Sequence, residues 1–375
     1  MKEDILYQLA LSRVPGIGPV YARRLLHRFG EARAIFQASE STLTDILGRN
    51  TKRLHDILHF KTYAAVEKEQ TFLEKYSIRP LFITNAHYPQ RLLRCPDAPI
   101  LLYFKGNTDL NAQKIISIIG TRSPSEYGKQ VTEKLIKDLA CLPGILVISG
   151  LAHGIDAISH QAALKNHLPT VGVLGHGLDQ IYPREHTHLA REMVKEGGLL
   201  SQFNITTGPD TYNFPIRNRV VAGLSDAVIV TETRTRGGSM LTVDNAHHYQ
   251  RSIFAIPGRL TDERSAGCNA LIHTGKARLL TSAAQLIEEM SWQKPSSPSA
   301  GAQTSLTFSS PEKDGLTEKE KATLRLFDQQ DTLSLTDIQT RNSQDISTLA
   351  ITLLNLELLG HIVSLPGRIY RRITT

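Results

Sequence analysis

From about residue 76 to 290 the chain alternates two kinds of apolar pattern. Short runs rich in Ile, Val and Leu stand at Lys114–Ile119, Ile145–Ser149, Thr170–Leu174, Gly198–Ser201, Asp226–Thr231, Ser252–Ile256 and Ala277–Leu280. Several are apolar at nearly every position, as expected for strands covered on both faces. Between most of them lie stretches with the 3.6-residue period of a helix, for example Lys129–Leu139 and Asp156–Lys165. This alternation predicts an α/β domain, a Rossmann-like, doubly wound and mainly parallel sheet.

The flanks differ. Residues 1 to about 75 carry only helical periods, as in Leu6, Leu9 and Ala10, then Tyr21, Leu25, Leu26 and Phe29. Between those two groups the run Val14-Pro15-Gly16-Ile17-Gly18-Pro19 predicts a tight turn of the kind found in helix-hairpin-helix elements. Such a turn can hold backbone N–H groups against a phosphate, although a plain helix–helix connector is the simpler reading. Residues 291–315 hold seven serines with Pro295, Pro298 and Pro311, which predicts a linker. In residues 316–375, Thr317 and Glu320 form a capping-box pattern. Asp345 and Gly360 bracket a long helix, Ile346 to Leu359, and two short strands come after it, His361–Leu365 and Arg368–Ile373, joined at Pro366-Gly367. Helices leading into such a hairpin predict a winged helix.

The 375 residues carry a net charge of +7, which favours acidic partners. Cys95, Cys141 and Cys268 form no C-x-x-C pair, which argues against a zinc ribbon or a disulfide framework and suits a reducing compartment. The first ten residues lack the apolar core of a signal peptide, and no apolar stretch reaches membrane-spanning length. A soluble, cytoplasmic protein is expected.

The most informative residues lie just beyond the strand ends. Ile119 leads into Gly120-Thr121-Arg122, and Ile148 into Ser149-Gly150-Leu151-Ala152-His153-Gly154-Ile155-Asp156. Leu174 leads into Gly175-His176-Gly177, Thr231 into Glu232 and then Gly237-Gly238, and Ile256 into Pro257-Gly258. In an open parallel sheet these carboxyl ends share one edge, where ligands bind over helix N-termini. Glycine there leaves room for a close approach. Arg122, Arg184, Arg217 and Arg219 fall in the same loops, with Arg234 and Arg236 read as solvated surface charges. Backbone donors ringed by guanidinium groups predict a polyanion ligand. Tyr182-Pro183 and Phe214-Pro215 stand beside them, either to stack on bases or to pin the loops.

Other chemistry is missing. No G-x-x-x-x-G-K-[ST] run is present, and the first βα turn is not G-x-G-x-x-G, so neither a P-loop nor a dinucleotide site is expected. The pairs His186/His188 and His247/His248 lack metal-binding spacing and read as surface residues. Asp156, Asp179, Asp226 and Glu232 cannot be placed at catalytic spacing, so no acid/base role is assigned. No cofactor and no metal are expected.

The strand-end motifs together resemble the DNA-processing protein A family (DprA, also called Smf). The resemblance is carried by Ile119-Gly120-Thr121-Arg122, the run from Ser149 to Asp156, Gly175-His176-Gly177-Leu178-Asp179 with Ile181-Tyr182-Pro183, and Phe214-Pro215-Ile216-Arg217-Asn218-Arg219 with Ala222-Gly223-Leu224-Ser225. Gly238-Ser239-Met240-Leu241-Thr242, Ala255-Ile256-Pro257-Gly258 and Gly267-Cys268-Asn269-Ala270-Leu271-Ile272 complete it. It implies a non-enzymatic protein that binds single-stranded DNA in natural transformation, helps load the RecA recombinase, and forms homodimers through its central domain. It also implies a sterile-alpha-motif-like domain over 1–75, a Rossmann-like domain over 76–290 and a winged helix over 316–375. By motif, Arg122 is the phosphate-binding arginine and Gly120 and Thr121 supply backbone contacts. Ser149 and Gly150 belong to a second phosphate loop, Gly175 and Gly177 to a third, and Arg217, Asn218 and Arg219 to a fourth. Arg184 completes the DNA-binding set through its place in the loops. His153, Gln202 and Gly237 depart from the family's usual residues.

Two other readings compete. A phosphoribohydrolase-type enzyme would need a P-G-G-x-G-T-x-x-E loop, and residues 235–242 lack its glutamate. A winged-helix transcription regulator would use Arg368, Arg371 and Arg372 in the wing, but residues 346–359 carry no lysine or arginine.

Overall fold

The structure, a computed structural model, describes residues 2–292, 316–328, 330–342, 346–365 and 369–373. Its contacts divide the chain into two units, residues 1–297 and 298–375. The linker residues 293–315, the Asp345 cap, the Pro366-Gly367 joint and Arg368 lie outside the described residues.

The larger unit is built on a nine-stranded sheet. Its strands are β1 (Arg79–Phe82), β2 (Leu101–Gly106), β3 (Lys114–Ile119), β4 (Ile145–Ser149), β5 (Thr170–Leu174), β6 (Gly198–Ser201), β7 (Ala227–Val230), β8 (Ser252–Ala255) and β9 (Arg278–Leu279), in the order β1-β2-β6-β5-β4-β3-β7-β8-β9. Strands β3 to β9 run parallel, and each of the seven apolar runs in the sequence is one of them. β4 and β5 are buried at every position, which is why they read as unbroken apolar runs. Helices Glu126–Leu139 and Ile155–Lys165 cross between strands. Chain order reverses between β3 and β7, the switch point where doubly wound folds commonly hold a ligand.

The strand pattern did not anticipate β1 and β2, which join antiparallel beside β6. β1 contains Pro80, whose missing N–H is tolerated because β1 is an edge.

The N-terminal helices share the sheet's core. Leu9, Leu25, Ile35, Leu54 and Val66 are buried in one cluster with Phe82, Leu102, Phe104 and Ile115. The turn after helix Lys2–Arg13 buries Val14 and Ile17, and Pro19 then opens helix Pro19–Phe29. Glu69, from helix Tyr63–Lys75, fastens this layer. It is fully buried, and Oε2 accepts from Arg13 at 2.7 and 3.0 Å while Oε1 accepts from the Ile205 backbone N–H at 3.1 Å.

On the far side of the sheet a second cluster holds Ile116, Val147, Ile136 and Phe254, with Met290 and Trp292, the chain's one tryptophan, packed against it. Among the described residues no helix is long and apolar enough to cross a membrane.

The smaller unit has helices Glu318–Arg325, Leu335–Arg341 and Ile346–Leu358, and a sheet of β10 (Thr332–Ser334), β11 (Ile362–Leu365) and β12 (Ile369–Arg372) in the order β10-β12-β11. The expected capping box of Thr317 and Glu320 is present. Helix Leu335–Arg341 and β10 were not anticipated; their runs are too short to show a period.

The buried Glu69 contact gives a stability test. Changing Glu69→Ala should lower stability by about 3 kcal/mol, the low end for a broken buried ion pair, because Arg13 keeps some access to water. Urea unfolding should show a lower midpoint with an unchanged slope.

Candidate functional site: the carboxyl edge of the sheet

At the edge of the sheet, over β4 and β5, lies a pocket of about 40 Å³ lined by Arg122, Leu151, His176, Tyr182, Phe214 and Arg217, among others. That volume holds roughly three waters, at ~10–15 Å³ each. Arg122 is exposed at its mouth, with the guanidinium carbon 5.7 Å from the centroid of the Phe214 ring. No carboxylate lies within ion-pair distance of it among the described residues. Arg217 forms the floor, 6% exposed. It donates from Nη1 to the Val173 carbonyl and from Nε to Asn218 Oδ1 at 3.1 Å. Burial pushes its pKa down and nearby Asp156 pulls it back, while burial raises that of Asp156 and Arg217 opposes the rise. The pair therefore keeps an arginine charge under the pocket.

Gly150 makes this possible. A Cβ there would lie 2.3 Å from Asp156 Oδ2 and 2.4 Å from Arg217 Nη1. The space that the sequence suggests for a ligand is filled here by the protein's own atoms. The same holds at Gly120, whose Cβ would meet Ile155 at 2.6 Å, at Gly175 against Phe214, and at Gly177 against the Asn204 carbonyl. The Thr121 N–H is also spent internally, donating to the Glu232 carbonyl at 2.7 Å. Ser149 is fully buried, its hydroxyl donating to the Ile118 carbonyl at 2.6 Å. Gly120, Thr121, Ser149 and Gly150 thus shape the edge from beneath.

Of the four arginines expected together, the structure brings Arg122 and Arg217 to the pocket. Arg184 is exposed just past Pro183, which lines it. Arg219 is elsewhere: it pairs with Asp97 at 3.2 Å, and its Nη2 is 3.4 Å from Gln202 Oε1. A two-residue step on a helix turns a side chain by about 200°, so adjacent arginines in sequence diverge. Arg234 meets Glu263 at 3.4 Å. Phe214 is partly buried against Gly175 and pins the loop, whereas Tyr182 is 50% exposed with its ring 6.3 Å from that of Phe214.

Two histidines with no role assigned from the sequence also support the pocket. His160 is fully buried: Nε2 lies 2.6 Å from the Gly150 carbonyl and Nδ1 2.6 Å from Thr170 Oγ1, so it holds the β4 loop in place. Burial pushes its pKa down to about 4. His176 lines the pocket, with Nδ1 2.8 Å from the Gly177 carbonyl and its Nε2 unpartnered; burial lowers its pKa too. His176 stands between the glycines that follow β5, whereas nothing in the sequence around His160 marks it.

The switch point itself is closed. Glu232 is fully buried, and its carboxylate accepts from Ser125 N–H at 2.9 Å and from Ser125 Oγ at 2.5 Å at the start of helix Glu126–Leu139. A Cβ on Gly128 would collide with it at 2.3 Å. Among the described residues no group of three or more His, Cys, Asp or Glu could hold a metal ion.

The fold and this edge define a Rossmann-like protein whose crevice is sealed and whose cationic, aromatic pocket lies beside it. Comparison with known proteins is specific: residues 79–291 match the family described as DNA recombination-mediator protein A, and residues 9–58 match a SAM-like helix-hairpin-helix tandem. The chain belongs to the DNA recombination-mediator protein A family. It is 32% identical to Protein Smf of Escherichia coli over 81% of this chain and 80% of that one. It is 41% identical to DNA processing protein DprA of Bacillus subtilis over 57% and 71%. The structure of DNA processing protein A from Streptococcus pneumoniae superposes with a TM-score of 0.66 at 33% identity, covering 76% of this chain and 96% of that one. That of Helicobacter pylori, solved for its single-stranded DNA binding mode, gives 0.52 at 32% identity, covering 57% and 96%.

His160 gives the site a pH signature. Its folded pKa lies below its unfolded one, so the unfolded chain takes up the proton first as pH falls. Stability should fall between pH about 6.5 and about 4, by up to ~1.4 kcal/mol per pH unit for this group. His176 adds in the same direction. Urea midpoints across that range should fall, and less so in His160→Gln.

Proposed function

We propose that the chain binds single-stranded DNA along the carboxyl edge of the sheet, with phosphates at Arg122 and Arg184 and the charge of Arg217 beneath them. The observation that carries this is the exposed guanidinium of Arg122, with no carboxylate within ion-pair distance among the described residues, set over Phe214 at the mouth of a pocket floored by a buried arginine. Cations beside an exposed ring such as Tyr182 suit a strand whose bases are open to stacking. The Helicobacter pylori relative, similar over 57% of this chain, supports the choice of strand.

As a recombination mediator the chain acts between DNA and a recombinase, so RecA loading during recombination or natural transformation is the role we assign. Homodimers form through the central domain. The Leu279 side chain, 41% exposed on edge strand β9, is in keeping with that. The smaller unit is a winged helix. Its long helix carries no lysine or arginine, which suits contact with protein more than with duplex DNA. The protein is not an enzyme in this reading: the Glu232 carboxylate is taken up by the N–H and hydroxyl of the helix cap Ser125 instead of facing a substrate. Release of ribose phosphate from a nucleoside monophosphate, lost in Glu232→Gln, would replace it with the phosphoribohydrolase reading.

Changing Arg122→Ala should weaken single-strand binding by about 1–3 kcal/mol and make the slope of log K against log salt shallower by about 0.7. Two unrelated base sequences should lose equally, because phosphate contacts carry no sequence information. Titrations at several salt concentrations measure both quantities. An unchanged slope and affinity in a folded variant would place the strand elsewhere.

A further inference from the structure

Arg219 lines a second cavity, of about 200 Å³, together with Gly18 and Pro19 of the helical turn, Tyr103 of β2 and Gln202 just after β6. Three polar atoms in these walls are buried without a hydrogen-bond partner: the Tyr103 hydroxyl, Gln202 Nε2 and Arg219 Nε. Tyr103 is only 2% exposed. Glu69 and Ser12 are close to its hydroxyl, but neither meets it in hydrogen-bonding geometry. Glu69 already accepts from Arg13 and Ile205, and the Ser12 hydroxyl donates to the Leu9 carbonyl.

Native proteins seldom leave such groups unmet. All three can donate, and two of them can do nothing else, so the missing partner is an acceptor. The eleven-residue helix Pro19–Phe29 opens on the same cavity. Its N-cap, Gly18, provides no side-chain acceptor, which leaves the positive end of the helix uncapped. The charge nearby is mixed but net positive: Glu69, beside Tyr103, is paired with Arg13, and Asp97 with Arg219, while Arg23 and Arg251 stand around Tyr88 and Cys95. Arg23 and Arg251 are bonded to main-chain carbonyls, which leaves their charge in place.

We propose that this cavity is a second oxyanion subsite that takes a phosphate group, and that Arg219 serves it instead of the first pocket. β5 and β6 are parallel neighbours whose carboxyl ends share one edge, so the two subsites are successive positions along it. The phosphate is either a phosphodiester of a strand already held at the first pocket, which rests on the function proposed above, or a free phosphate.

The test uses the full chain and thymidine oligonucleotides of increasing length, with Tyr103→Phe and Gln202→Leu as variants. Tyr103→Phe deletes one unpartnered oxygen, so its thermal unfolding should occur no lower than that of the wild type. Wild-type affinity should rise by about tenfold once a strand is long enough to reach the second cavity, and each variant should lose that step. Arg122→Ala reports the first pocket with the shortest strands, so failure of that reading is seen separately. A second arm measures the melting temperature in inorganic phosphate. If no length step exists but phosphate raises the wild-type melting temperature and not that of Tyr103→Phe, the subsite takes free phosphate. Equal weakening at every length in the variants, or neither a length step nor a phosphate shift, overturns the proposal.

Discussion

Arg217 carries a permanent charge at a position nearly closed to water, and the elements around it are arranged to bear that cost. The Val173 carbonyl takes one of its N–H groups at the end of β5, Asn218 takes another, and Asp156 supplies the opposing charge from the first turn of the next helix. Gly150 must lack a side chain so that guanidinium and carboxylate can both reach this point. His160 then fixes the Gly150 carbonyl from below. Remove the charge from the floor, and the spacing of three strand ends loses its cause. The pocket above is shaped by this internal electrostatic constraint before any ligand arrives.

The helical layer depends on the sheet in a comparable way. Its apolar face is continuous with the core beneath β1 and β2, and one buried carboxylate, Glu69, ties two of its helices to the backbone of the loop after β6. That registration places the Gly18–Pro19 turn against Tyr103 and Gln202. An independently hinged layer would not hold unpartnered donors at a fixed spacing.

Much of this was legible in the sequence because a strand buried on both faces leaves a run of apolar residues, although β2, whose Leu101–Phe104 is just as apolar and buried, was passed over. β3, β4 and β5 are of this kind, and the glycines that follow them mark the carboxyl edge of the sheet. The edge strand β1 was invisible because Pro80 and a partly exposed face break the pattern. The physical meaning of the glycines was also hidden. Sequence marks where a Cβ is excluded, but not whether ligand or protein fills the space, and at Gly120, Gly150, Gly175 and Gly177 it is protein. The two arginines of the Phe214-to-Arg219 run looked equivalent, yet helical geometry sends one beneath the pocket and the other to a different cavity.

Glu232 occupies the crevice where doubly wound domains usually cradle a cofactor. The carboxylate is held by a backbone N–H and a hydroxyl at a helix start, the same donors that would otherwise greet a pyrophosphate. The chain in effect carries its own resident anion there. Abundant free nucleotides in a cell would find that berth taken and repulsive to a second negative charge. A long polymer lying across the neighbouring pockets would be spared competition at the one place where the fold most readily accepts monomers.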